Sequence, residues 1–290
     1  MTLFLIIFLS FGQNFFWHNY TFNINKHIYQ ADLSKLINFP VRSQEEVKDL
    51  GNQITAKAYL VRDIYGKTYF AKNFDKIFPM ASLSKILTVY TALKFIPQDA
   101  IISFSQQAID QEGFSGDFQV SERFLRDDLI KASLILSSND AAYALAEYYG
   151  LDNTLYFIRE TIKNLGLERT FMVEPTGLSA GNVSTAEDLW KLMFWFKRNY
   201  PEVASWTLEK QLELKGNKKR KVANIAIRLL EAYGNYIKFQ KTGFTDEARQ
   251  NYMAVIKINN SPEIGVIILG SENREQDFKT ILEALKKNYE

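Results

Sequence analysis

The 290-residue chain predicts a mixed α/β (α+β) fold: an antiparallel sheet packed by helices, with a second helical lobe inserted between its strands. Three observations carry that expectation. Strand-like segments lie towards both ends, at Ile54–Arg62 and Thr68–Lys72 and again from Lys238 onwards. A mostly helical block from about Arg126 to Tyr200 separates them. The last segment, Arg274–Asn288, has the spacing of an amphipathic helix, which can cover one face of a sheet.

Residues 18–51 are polar and mixed and read as a linker, with a short helix near Gln44–Leu50. Ile54–Arg62 and Thr68–Lys72 form a hairpin around Tyr65-Gly66. Ser82–Phe95 is apolar on nearly every side, as expected of a helix buried in a core, and Pro97 follows its end. Ala141–Tyr149, Leu151–Leu165 and Ala186–Arg198 supply helices of the inserted lobe. Lys238–Gly243, Tyr252–Ile258 and Ile264–Gly270 read as strands, the last two joined by the turn Asn259-Asn260-Ser261-Pro262. Lys215, Lys218, Lys219, Arg220 and Lys221 make a dense basic run. A solvated hairpin tip is its ordinary reading, and attraction to anionic polymers or lipid headgroups is the functional alternative.

Composition narrows the chemistry. An apolar fraction of 47% supports a sizeable core, and a formal charge of +2 gives no reason to invoke nucleic acid. The absence of cysteine excludes disulfides and thiolate metal sites, and no cofactor or metal is expected. His18 and His27 are the only histidines, and both precede the first expected strand. A Ser-His-Asp triad within residues 52–290 is therefore excluded. Leu3–Leu9 is an unbroken apolar run, too short to span a bilayer alone, and no Lys or Arg precedes Lys26. Residues 1–17 are read as the remaining part of a signal or signal-anchor that would tether the chain to a membrane. An apolar segment packed on the domain is the alternative.

The chemistry concentrates in three short motifs. Ser82-Leu83-Ser84-Lys85 is an S-x-x-K tetrad at the start of the buried helix, where residues three apart share a face. A serine hydroxyl needs a base to become a nucleophile, and a desolvated lysine can be that base. Ser137-Ser138-Asn139 supplies S-x-N directly after the mostly apolar run Leu129–Leu136, and Lys241-Thr242-Gly243 supplies K-T-G in a strand. Each alone is weak; Ser271-Glu272-Asn273 also matches S-x-N, but after K-T-G and so out of order. The three in order form the signature of penicillin-binding proteins and class A β-lactamases.

On these motifs the chain resembles the D-alanyl-D-alanine carboxypeptidases of the low-molecular-mass penicillin-binding type. The likeness extends over roughly residues 52–290, expected to form one penicillin-binding serine carboxypeptidase domain. It includes Ile54–Asp63, Ser138-Asn139-Asp140-Ala141-Ala142, Pro175-Thr176-Gly177-Leu178 and Ser184–Leu189. Three positions depart from the family pattern: Ser138 where glycine is usual, Glu174 where asparagine is usual, and Arg249 where a small residue is common. The resemblance implies a β-lactamase/transpeptidase-like fold with the active site in a cleft between the lobes.

It also implies roles. Ser82 attacks the penultimate carbonyl of a D-Ala-D-Ala terminus, Lys85 takes its proton, and Ser137 relays a proton to the leaving amine. Asn139 holds the substrate peptide, and Lys241 helps to lower the pKa of Lys85. The backbone N–H groups of Ser82 and Phe244 form the oxyanion hole beside Gly243. Thr242 and Arg274 clamp the terminal carboxylate, with a solvated helix-start arginine as the even alternative for Arg274. The implied partners are peptidoglycan stem peptides and, as covalent inhibitors, β-lactams; the implied location is the cell envelope after export. A serine β-lactamase and a catalytically inactive wall-binding module are the competing readings. Against the first, Glu174-Pro175 lacks the asparagine of the class A Glu-Pro-x-x-Asn pattern, because Leu178 occupies that place.

Overall fold

Near-continuous apolar runs in the long strands towards the end of the chain build the centre of the sheet. The computed structural model describes residues 49–113, 116–216 and 219–289. The expected signal segment, the linker up to Lys48, most of the Gln44–Leu50 helix and Lys218 lie outside the described residues.

In chain order, β1 (Ala58–Asp63), β2 (Thr68–Lys72) and β3 (Phe78–Pro79) precede α1 (Lys85–Phe95). The inserted lobe follows with β4 (Ile101–Ser103), α2 (Gln106–Ile109), β5 (Arg123–Leu125), α3 (Arg126–Lys131), α4 (Asn139–Tyr149) and α5 (Leu151–Asn164). Next come β6 (Val183–Ser184), α6 (Ala186–Asn199), α7 (Pro201–Trp206), β7 (Gln211–Lys215), β8 (Lys219–Ala223) and α8 (Ile227–Tyr233). The chain returns to the sheet with β9 (Ile237–Thr245), β10 (Arg249–Ile256) and β11 (Ile264–Ser271), and closes with α9 (Arg274–Lys286).

The main sheet has the antiparallel order β2-β1-β11-β10-β9, so first and last parts of the chain pair across β1 and β11. Both faces are covered, which is why its strands are apolar at nearly every position. Cross-strand rows sort the side chains. Leu60, Ile267, Met253 and Lys241 stand in one row, and Tyr59, Ile268, Tyr252 and Thr242 in the next. The first row faces the core shared with α1 and α6; the second faces α9, which buries Phe278, Ile281, Leu282 and Leu285 against it. Each such side chain contributes about 1.5–3 kcal/mol by withdrawal from water.

The expected strands and helices are found, with shifted ends. The first strand starts at Ala58 rather than Ile54, because the Thr55 backbone N–H donates to Asp277 Oδ1 at 2.8 Å instead of joining a ladder. The helix expected from Ser82 begins as a 3₁₀ turn, Ala81–Ser84, and becomes α-helical at Lys85. Ala81 has φ 47°, a left-handed conformation costly for a residue with a Cβ, so the chain enters the turn sharply. The basic run forms the β7–β8 hairpin, with Lys215 opposite Lys219. Its Arg220 is a brace rather than a free charge: it grips the buried Glu122 through two bonds of 2.8 and 2.9 Å.

Candidate active site

The 3₁₀ turn holds Ser82 and Lys85 three residues apart at the head of α1. Lys85 is wholly buried, and its Nζ lies 2.8 Å from Ser82 Oγ. The same nitrogen donates to Asn139 Oδ1 at 2.6 Å and to the carbonyl oxygen of Thr176. Burial drives the amine down to about 7, against the pull of the Glu174 and Asp140 carboxylates, which favour the charged form. A lysine poised there is a usable base near neutrality, and Ser82 Oγ is the proton donor within reach.

Ser137 ends the helical turn Ala132–Leu136 in a left-handed conformation, φ 57° and ψ 29°. That turn aims its hydroxyl at Lys241, whose Nζ donates to it at 2.8 Å and to the Thr242 carbonyl at 2.8 Å. Lys241 is also buried. Its pKa is held well below that of an exposed lysine by burial first, then by the positive charges of Lys85 and Arg274. The repulsion expected to act on Lys85 thus falls on Lys241, while the fall at Lys85 comes from burial. Ser138, the departure from the usual glycine, has extended geometry (φ −60°, ψ 125°) and needs no glycine. Its hydroxyl accepts the Ala141 N–H and caps α4, placing Asn139 at the helix start. Asn139 links Lys85 on α1 to the segment after α2, since its Nδ2 also donates to the Glu112 carbonyl at 2.6 Å.

Gly243 lets β9, an edge strand of the sheet, lie against the nucleophile turn. A Cβ there would stand 3.1 Å from the Met80 carbonyl oxygen and 3.3 Å from the Ser82 nitrogen. Phe244, the next residue, is 57% exposed, so the strand's end opens to solvent beside Ser82. Thr242 is buried in the row that α9 covers, and Arg274 at the head of α9 donates to the Gly243 carbonyl at 2.9 Å. Arg274 is therefore anchored at K-T-G and is not a solvated helix-start residue.

Glu174 does not act alone. Its Oε2 accepts from the Thr176 N–H and hydroxyl, both at 2.6 Å, and its Oε1 accepts from Gly177 at 2.6 Å, Asn182 Nδ2 at 2.8 Å and Ser179 at 3.2 Å. The loop so tied carries Gly177 at φ 88°, where a Cβ would come within 2.4 Å of the Ala81 carbonyl oxygen. Sequence reasoning missed two members of the site. Thr176 contributes a backbone carbonyl, for which its side chain gives no signal. Asp140, beside Lys85 and pushed up to about 6 chiefly by burial, was visible only as the residue after S-x-N. Among the described residues there is no group of three or more His, Cys, Asp or Glu that could hold a metal ion.

Comparison with known proteins bears on the family and the fold. The family model for D-alanyl-D-alanine carboxypeptidases matches residues 42–272. A D-alanyl-D-alanine endopeptidase of Pseudomonas aeruginosa is 30% identical over 219 residues, 73% of this chain and 70% of that protein. A D-alanyl-D-alanine carboxypeptidase of Bacillus subtilis is 24% identical, over 82% of this chain and 63% of that one. Among solved structures, penicillin-binding protein D2 of Listeria monocytogenes in its ampicillin-bound form superposes with a TM-score of 0.71. It is 24% identical, with 82% of this chain and 98% of that one covered, and so supports the fold.

Proposed function

The chain belongs to the D-alanyl-D-alanine carboxypeptidase family, whose members are serine peptidases of the penicillin-binding type, and from that premise we propose a mechanism centred on Ser82. The substrate is a peptidoglycan stem peptide ending in D-Ala-D-Ala. The observation that carries the reading is the buried Lys85, held 2.8 Å from Ser82 Oγ and brought to about 7.

Neutral Lys85 takes the Ser82 proton as Oγ bonds to the penultimate carbonyl carbon. The oxyanion rests on the backbone N–H groups of Ser82 and Phe244, a contribution of roughly 3 kcal/mol per donor. The carbonyl C–N bond then breaks. The proton held by Lys85 is delivered through Ser137 to the leaving amine of D-alanine, and water hydrolyses the Ser82 ester. The substrate lies along the free edge of β9, its peptide bonded to Asn139 and its terminal carboxylate between Thr242 and Arg274. A β-lactam enters the same path and halts at the ester. Glu174 supports peptidase over β-lactamase chemistry, since both of its oxygens are taken by loop donors and neither is available to activate a deacylating water.

A second reading is favoured by the Pseudomonas relative and by an Escherichia coli relative also 30% identical, both named D-alanyl-D-alanine endopeptidases. The chemistry is the same, but the leaving amine belongs to a cross-linked peptide. Export to the cell envelope follows from either substrate, with residues 1–17 as a tether and 52–290 as the catalytic domain. Among the described residues, no helix is long and apolar enough to cross a membrane.

The test pairs a fluorescent penicillin with two substrates, a D-Ala-D-Ala pentapeptide and a cross-linked muropeptide dimer. One adduct on the Ser82 peptide that persists for many minutes, with faster D-alanine release, supports the carboxypeptidase. Dimer cleavage without D-alanine release selects the endopeptidase. Rapid β-lactam turnover would overturn both.

A further inference from the structure

Glu174 replaces the family's usual asparagine with a charged side chain, and that charge lies next to the base of the reaction. Its carboxylate gathers donors from Thr176, Gly177, Ser179 and Asn182, while the Asn182 Oδ1 accepts from the backbone N–H groups of Val173 and Glu174. The latch has one output towards the nucleophile: the Thr176 carbonyl, which accepts from Lys85 Nζ. A second contact sits beside it, where the Pro175 carbonyl accepts the Thr88 hydroxyl at 2.7 Å one turn along α1. The loop is thus clipped to the helix that carries Lys85 at two successive carbonyls.

We propose that Glu174 is a positioning residue for acylation: its carboxylate latches the 174–182 loop so that the Thr176 carbonyl holds Lys85 Nζ against Ser82 Oγ, and its charge acts on the Lys85 amine. Two carboxylates bear on the Lys85 proton, Glu174 from this loop and Asp140 from the first turn of α4, while the repulsion between Lys85 and Lys241 of β9 is felt at Lys241. The two carboxylates favour the ammonium form and burial opposes it. Replacing Glu174 with an uncharged residue removes one of the two attractions, so neutral Lys85 persists to lower pH. Its cost is geometric. A loosened Thr176 carbonyl lets the amine wander from Ser82, and positioning errors lower the rate even when the base is in the right state.

This inference rests on Ser82 acylation, and wild-type labelling separates the two. The experiment measures the rate of Ser82 acylation by a fluorescent penicillin from about pH 5 to 9. It is run on the wild type, Glu174→Gln, Glu174→Asn and Asn182→Ala, with melting temperatures recorded for each. Both Glu174 variants should move the midpoint of the acidic limb down by about one pH unit, the low end for loss of a nearby opposite charge. Glu174→Gln should also lower the high-pH plateau, by about tenfold or less. Asn182→Ala loosens the same latch without a change of charge, so its plateau should fall while its midpoint stays. If the wild type labels normally and neither Glu174 variant moves the midpoint, the inference fails and the acyl-serine reading stands. If the wild type takes no label on Ser82, the acyl-serine reading itself fails. Glu174→Asn keeps the test informative should Glu174→Gln fold poorly, because asparagine is the residue this position usually carries in the family.

Discussion

Two serine–lysine pairs, Ser82–Lys85 and Ser137–Lys241, have the same 2.8 Å separation and lysines of equal burial, yet they are assembled in opposite ways. The first pair closes within one helical turn, between residues three apart. The second joins residues 104 positions apart, one at the end of a helical turn and the other on an edge strand. Their electrostatics differ as well. Lys85 faces two carboxylates that oppose the effect of burial, whereas Lys241 faces Lys85 and Arg274, which add to it. Equal distance therefore does not mean equal function. The compensated lysine can pass between charged and neutral forms near pH 7, and the other, donating to the Ser137 hydroxyl and the Thr242 carbonyl, is suited to hold that hydroxyl against β9.

Removing the serines tests this division most severely. Ser82→Ala should accept no penicilloyl group, as judged by mass spectrometry of the Ser82 peptide, while Ser137→Ala should still be acylated, more slowly. A labelled Ser82→Ala protein would make the two pairs interchangeable and end the proposed assignment.

The lysines should differ by less. Lys85→Ala should slow acylation by at least about 100-fold, the low end for loss of a general base. Lys241→Ala removes the hydrogen bond to the Ser137 hydroxyl, about 0.5–1.5 kcal/mol, and should cost about 2- to 10-fold in a stopped-flow acylation assay. Reversal of that order would exchange their roles.

The pH profile sharpens the contrast further. Lys85 must be neutral to accept a proton, so the acylation rate should fall about tenfold per pH unit below about 7 and level off above it. A flat profile between pH 5 and 8 would remove Lys85 from the base role.

The smallest expected effects concern the supports of each pair, read by thermal unfolding. Gly177→Ala should destabilise by about 1–3 kcal/mol, since its Cβ would meet the Ala81 carbonyl at the start of the Ser82 turn. Ser138→Ala, which uncaps α4 behind Ser137, should cost about 1 kcal/mol. Equal losses would mean that neither turn is held more tightly than the other.

Legibility in the sequence followed the same division. The S-x-x-K tetrad was readable because helical periodicity alone brings its ends together, and the apolar helix behind it showed that the lysine would be buried. The strands Tyr252–Ile258 and Ile264–Gly270 were readable because a sheet covered on both faces demands apolar residues at nearly every position. The 3₁₀ start at Ala81 was not, since alanine gives no sign of a left-handed φ that tertiary contacts impose. The short pairs β3–β6 and β4–β5 also escaped, because strands of two or three residues carry too little alternation to register.

By itself the sequence determined which groups are available: a serine with a lysine one turn away, a second serine, an asparagine, a K-T-G strand, and no cysteine or domain histidine to do the work instead. It also determined the order of strand, helix and strand, because hydrophobic periodicity is local. Only the tertiary structure decided what those groups are worth. Burial lowered two lysines that are ordinary in water, and the meeting of β9 with the nucleophile turn joined Ser137 to Lys241. The folding of residues 174–182 turned an anomalous glutamate into a latch on the base. Charge state and proximity depend on every neighbour in three dimensions, and no window along the chain contains them.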